Sequence, residues 1–291
     1  MARIPDSPER RFELAAEQLF TVFERYQKPP LEQWGDPLAE KLTVDILRAF
    51  DKDLRDITPA EIHDFARWQT FEPDYQARRF KYWLPRMLEI VAADSAEGFI
   101  CEPFSLAPKL ASVAWTGWRR EEARALYDWS ARYIEACMAF TGGDSSGKTL
   151  PYRDPLRALA FVAGIGVDVG PLLTAATSNL TPATVRAIGD VVSEFAPALT
   201  NRDAIEVGEV PAKASHRDAW WSDAVSLKMH RGVLKWLLDP QLAERLEAAQ
   251  SAARERDPEL AGKISEVITA MAPVQAAWRE ETEERAEQSS S

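Results

Sequence analysis

The run Gly142-Gly143-Asp144-Ser145-Ser146-Gly147-Lys148-Thr149 fits the phosphate-loop pattern G-x-x-x-x-G-K-[ST]. In such a loop, backbone amides cradle phosphates, the lysine reaches the outer phosphates and the hydroxyl binds magnesium. Gly147, Lys148 and Thr149 are therefore the candidate cofactor-binding residues. That chemistry needs a strand leading into the loop and a helix beginning inside it. Here helical spacing precedes the loop, and Pro151 and Pro155 fall where the phosphate-binding helix would have to continue. The context favours a flexible Gly/Ser loop, and no cofactor is assigned.

The remaining reactive residue types are sparse. His63-Asp64 and His216-Arg217-Asp218 each set a base beside a carboxylate, and His230 is the third histidine. Neighbouring residues on a helix point in different directions, so adjacency makes no dyad. Cys101 and Cys137 are too few for a disulfide framework and match no zinc spacing, which reads them as buried thiols. No G-x-S-x-G or H-E-x-x-H occurs. Neither catalytic nor metal-binding residues are assigned.

Arg78, Arg79, Lys81 and Arg86 lie close to Trp68, Tyr82 and Trp83, and Trp115 and Trp118 precede Arg119-Arg120. Such interleaving can grip nucleic acid by stacking and phosphate contacts. Glu89, Glu121 and Glu122 are mixed in, however, and the tryptophans sit at core spacing, so these cations read as cover for aromatic surface. Trp220-Trp221 reads as core with one ring exposed. The net charge of −11 argues against nonspecific binding to nucleic acid or anionic membrane, and it suits a basic protein partner.

The elements that must position these residues are helical almost throughout. Phe80, Trp83, Leu84, Met87, Leu88 and Val91 form one apolar stripe, with Lys81, Arg86 and Glu89 off it on a face for water. Pro85 predicts a kink or a fresh start. Pro8 to Tyr26 reads as a first helix with Phe12, Ala15, Ala16, Leu19, Val22 and Phe23 on one face, ended by Pro29-Pro30. Asp36-Pro37, Asp154-Pro155, Thr181-Pro182, Asp239-Pro240 and Asp257-Pro258 each combine an N-cap side chain with a proline at the first helical position. Thr58-Pro59-Ala60-Glu61 adds a capping box and opens a helix through Trp68.

Two helices are expected between Ser105 and Phe140, broken near Gly117. The second has Ala123, Leu126, Tyr127, Ser130, Tyr133, Ile134 and Cys137 on its core face. Leu156 to Leu180 predicts two short buried helices, Pro182 to Phe195 another, and Ala196 to Ser215 a long loop. Trp220 to Leu238 and the segments opening at Asp239 and Asp257 return to helix.

The segment Phe80-Lys81 with Leu84-Pro85-Arg86-Met87-Leu88-Glu89, then Trp115, Trp118 and Glu121-Glu122, resembles a group of uncharacterised bacterial helical proteins. Trp236-Leu237-Leu238-Asp239-Pro240 with Glu244-Arg245-Leu246-Glu247 is similar to their late segment. The resemblance implies an α-helical fold and a bacterial source, and it carries no active site. Many of those proteins have a cysteine pair where Pro29 to Trp34 stands here without cysteine, so no metal role is transferred.

The expectation is an all-α protein of about twelve helices in stacked antiparallel pairs, in the manner of a HEAT-like α-solenoid. Residues 1–140 form an N-terminal lobe and 150–278 a C-terminal lobe, packed as one domain or two, with 279–291 a frayed polar tail. The start lacks a secretory pattern and the most apolar run is too short to span a bilayer, which predicts a cytoplasmic protein. The leading function is protein binding, most concretely an immunity protein that occludes a basic bacterial toxin. A nucleotide-binding enzyme using Gly142 to Thr149 and a structural or oligomeric scaffold are the alternatives.

Overall fold

The computed structural model describes residues 7–28, 48–59, 61–62, 76–93, 103–140, 154–200 and 223–289. Among these residues there is no strand. The longer helices are α1 (Pro8–Phe23), α2 (Gln76–Ala93), α3 (Pro103–Ser112), α4 (Arg120–Met138) and α5 (Pro155–Gly164). They continue with α6 (Val169–Ala176), α7 (Pro182–Leu199), α8 (Asp223–Leu237), α9 (Pro240–Ala253) and α10 (Pro258–Ser289). Short 3₁₀ turns occupy Leu54–Asp56 and Trp115–Gly117. The expected all-α class holds, and its helices pack in pairs. No described helix is long and apolar enough to cross a membrane.

Local chemistry accounts for the helix starts. Ser7, Asp154, Thr181 and Asp239 each accept a hydrogen bond from an amide of the first turn, and each is followed by proline. Asp257 accepts from the Leu260 amide at 3.0 Å. At Thr58 and Glu61 the capping box is reciprocal: the Thr58 amide donates to Glu61 Oε2 at 2.9 Å, and the Glu61 amide donates to Thr58 Oγ1 at 3.4 Å. Asp168 caps α6 without a following proline, through the Gly170 amide at 3.1 Å. The Asp36-Pro37 start lies outside the described residues.

The chain divides into two compact units, the first ending at Tyr133 and the second beginning at Ile134, inside α4. The expected boundary region, Thr141 to Thr149, lies outside the described residues. In the first unit, α1 packs on α2, and the Leu54–Asp56 turn packs on α2 as well. Phe80, Trp83, Leu84, Met87, Leu88 and Val91 are all buried, as their spacing predicts. Phe50 meets Trp83 edge to face at 5.4 Å between centroids.

Three expectations for this region are corrected. First, α2 runs through Pro85 as one helix, so no fresh start occurs there. Proline removes one backbone donor, but the side chains around it are buried and hold the segment in place. Second, α2 has no watery face along Phe80 to Ala92. Lys81 is buried, and Tyr82, Arg86 and Glu89 are only partly exposed. Lys81 is paired with Glu122, and Arg86 donates to the Ile57 carbonyl at 2.8 Å and pairs with Glu89, so polar positions are covered because they have partners. Third, Tyr127 is 43% exposed and Trp129 fully buried, so Tyr127 leaves the expected core face of α4, while Leu126, Ser130, Tyr133, Ile134 and Cys137 are buried as expected.

In the second unit, α10 lies along α7 and α9, and α8 packs on α5 and α6. Its α6–α8 crossing is set by two glycines. A β-carbon on Gly232 would stand 2.5 Å from Val169 Cγ2, and one on Gly170 would stand 3.0 Å from the Gly232 carbonyl oxygen. Side chains of α10 satisfy carbonyls at the ends of other helices: Trp278 donates to Leu199 at 2.9 Å and Gln275 to Leu237 at 3.1 Å. The indole of Trp236 donates to Thr177 Oγ1 at 3.2 Å.

Helix α7 continues through Pro197 to Leu199, so Ala196 to Leu199 are helical and not part of the expected loop, whose residues 201–215 lie outside the described ones. A proline so near the helix end removes one bond only, and the Thr200 amide still reaches the Ala196 carbonyl at 3.1 Å. The backbone of α10 is helical to Ser289, beyond the point where the charged tail begins.

Candidate functional site

Gly147, Lys148 and Thr149 lie outside the described residues, as do His63, His216, Cys101 and Trp220-Trp221. The described elements on either side of Gly142 to Thr149 are the helices α4 and α5. Cys137 is a buried thiol. Trp83 and Trp115 are core residues, consistent with structural use of the basic and aromatic run. Among the described residues, no group of three or more His, Cys, Asp or Glu could hold a metal ion.

The first unit contains a polar cluster that the sequence did not announce. Glu122, in the first turn of α4, is completely buried. Its Oε2 accepts from Lys81 Nζ at 2.8 Å and its Oε1 from the Tyr26 hydroxyl at 2.5 Å. Lys81 also donates to the Tyr26 oxygen at 3.3 Å and lies 4.2 Å from the centre of the Trp118 ring. Burial and the neighbouring Glu122 carboxylate push the Tyr26 phenol up to about 12. The phenol is therefore a fixed hydrogen-bond donor through the neutral range.

Tyr26 also lines a cleft of about 670 Å³. One wall comes from the end of α1 and the turn after it: Phe20, Thr21, Phe23, Glu24 and Tyr26. The second comes from Asp53 and the 3₁₀ turn Leu54–Asp56, and the third from Tyr82 and Pro85 of α2. The volume is in the range of sites that take small molecules or single side chains with their flanking backbone. Burial and the Asp53 charge raise the Tyr82 phenol, so this hydroxyl too stays protonated at neutral pH.

The charge of the cleft follows from which groups are already engaged. Arg55 is held by Glu17 through two bonds of 2.9 and 2.6 Å, and its guanidinium lies 3.9 Å over the Phe20 ring. The hydrogen bond from Arg55 holds the Glu17 carboxyl below its ordinary range. Arg25 is paired with Glu121 at 2.9 Å, Lys52 with Glu61 at 2.7 Å, and Lys81 with Glu122. In contrast, Glu24, Asp53 and Asp56 are exposed and have no ion-pair partner among the described residues. The cleft thus combines aromatic walls with three uncompensated carboxylates.

Such a lining has groups that attract cations: aromatic faces draw ammonium and guanidinium groups, and the carboxylates add charge and acceptors. Among the described residues that line it, Thr21 supplies the one aliphatic hydroxyl. No motif could have found this site, since its three walls come from separate stretches of sequence. No known family model matches the chain, and no curated protein or solved structure matches it either.

Proposed function

We propose that the chain is a helical binding protein for a basic polypeptide, most concretely an immunity protein that neutralises a bacterial toxin by occluding it. The observation that carries this reading is the cleft of the first unit, where Glu24, Asp53 and Asp56 have no ion-pair partner among the described residues and stand around Phe20, Tyr26 and Tyr82. The overall charge of −11 supports it, because an acidic surface steers a basic partner and raises its rate of encounter. The mechanism is steric: a rigid helical scaffold covers the active surface of the toxin, and no bond is made or broken.

The test is co-expression with the product of the adjacent gene. Protection of the host and a complex that weakens steeply between low and physiological salt are the expected results. Failure both to protect and to bind removes the reading.

A further inference from the structure

The reading above leaves open what the cleft holds, and the step taken here rests on that reading. We propose that the cleft of the first unit is a pocket for an arginine side chain of the basic partner. The guanidinium enters between Tyr26 and Tyr82, beside a Phe20 ring already covered by Arg55, and is met by Asp53, Asp56 and Glu24.

Three observations point to this occupant. The first is that the protein already uses the same arrangement for its own cations. Arg55 stacks on Phe20 while Glu17 grips it through two bonds, and Lys81 sits against Trp118 while Glu122 grips it. In the cleft the aromatic and acidic components are present, and Arg55, Arg25, Lys52 and Lys81 are each paired with a glutamate outside its lining, Arg55 lying on the Phe20 wall and Lys81 5.3 Å from the centre of the Tyr26 ring.

The second is that one of the carboxylates is badly placed for the fold. Glu24 is the C-cap of α1, where the helix dipole is negative, and the last turn of α1 contains no basic residue. The Arg25 guanidinium beside it donates to the Val22 carbonyl at 3.1 Å and pairs with Glu121, so among the described residues Glu24 is left without a cation of its own. The third is shape. A planar guanidinium can lie on an aromatic face and bond two carboxylates in its plane, which an ammonium cannot do.

The test uses the full chain and three synthetic peptides, Gly-Gly-X-Gly-Gly, where X is arginine, lysine or citrulline, titrated by calorimetry. Citrulline keeps the shape of arginine and lacks the charge. The arginine peptide is expected to bind, with the citrulline peptide and the Asp53→Asn/Asp56→Asn variant each weaker by about ten-fold or more. Both aspartates are exposed, so the variant should keep the melting temperature of the parent, and that measurement accompanies the titration. Failure of the arginine peptide to bind, equal binding of the citrulline peptide, or no effect of the double substitution overturns the pocket. Equal or tighter binding of the lysine peptide overturns the choice of guanidinium.

The two proposals fail separately. If the double variant protects against the toxin as well as the parent, the pocket is wrong and occlusion stands. If the arginine peptide binds as expected but the parent chain neither binds nor neutralises the toxin, occlusion is wrong and the pocket stands.

Discussion

Removal of Glu122 should destabilise the first unit more than loss of any surface charge. In Glu122→Ala the Lys81 ammonium keeps its position, with a side chain only 11% exposed, and loses the carboxylate 2.8 Å away. It then faces the Tyr26 oxygen at 3.3 Å and the Trp118 ring at 4.2 Å. Breaking a buried ion pair from one side costs about 3–5 kcal/mol, because a charge is left in a low-dielectric site without its partner. The contact with Trp118 is present in parent and variant alike and cancels in the difference. The expected loss is therefore about 3–5 kcal/mol. Urea denaturation followed by tryptophan fluorescence measures it, with hydrogen exchange assigning the loss to the first unit. The decisive comparison is the double variant Lys81→Met/Glu122→Leu, in which both charges are gone. It should recover most of the stability, giving a coupling energy of about 2 kcal/mol or more. If Glu122→Ala costs less than about 1 kcal/mol, or the double variant is no better than the single one, the account of this pair is wrong.

Two further outcomes follow from the geometry. The phenol of Tyr26 titrates near 10 when exposed and near 12 in the fold, so the folded state holds its proton more tightly. Its contribution is complete below pH 10 and is lost as pH rises from 10 to 12; two units correspond to about 2.7 kcal/mol, and solvent screening of the partly exposed side chain reduces this to about 1 kcal/mol. Stability of the parent should therefore fall more steeply than that of Tyr26→Phe across this window, and equal slopes would refute the assignment. In the second unit, Gly232→Ala places a β-carbon 2.5 Å from Val169 Cγ2 and should cost about 1–3 kcal/mol despite the better helix propensity of alanine. Gly262→Ala is the control, since nothing lies within 4 Å of its β-carbon position, and it should be neutral or stabilising in thermal denaturation.

How much of this was legible depends on the range of the interaction. Helix starts were readable because a cap and its amide lie within four residues, as at Thr58 with Glu61 or Asp154 with Leu156. The stripe from Phe80 to Val91 was readable because burial repeats at the helical period. The Lys81–Glu122 pair was not readable, because 41 positions separate two charges that look like surface residues in their own helices. On α4 only the edge of the face at Tyr127 was misjudged, for a related reason. Leu126 fits an arc containing Tyr127 or one containing Trp129, and only the packing of Phe12 against Trp129 and Tyr133 selects the second.

The same limit hid the cleft, and Tyr26 shows why. By sequence Tyr26 is the last aromatic residue of the first helix. In the fold α1 stops at Phe23, and the Tyr26 amide turns back to the Phe23 carbonyl at 3.0 Å. That turn lets one side chain serve two environments. The hydroxyl enters the core as a donor to Glu122, while the ring forms part of the cleft wall beside Glu24. The buried pair thus fixes the position of a wall of the cleft. Glu122→Gln, which keeps the acceptor for Tyr26 and removes the charge, should therefore disturb cleft binding less than Glu122→Ala at equal occupancy of the folded state. If the two variants bound the arginine peptide alike while both remained folded, the ion pair would be a matter of stability only and the cleft would be shaped without it.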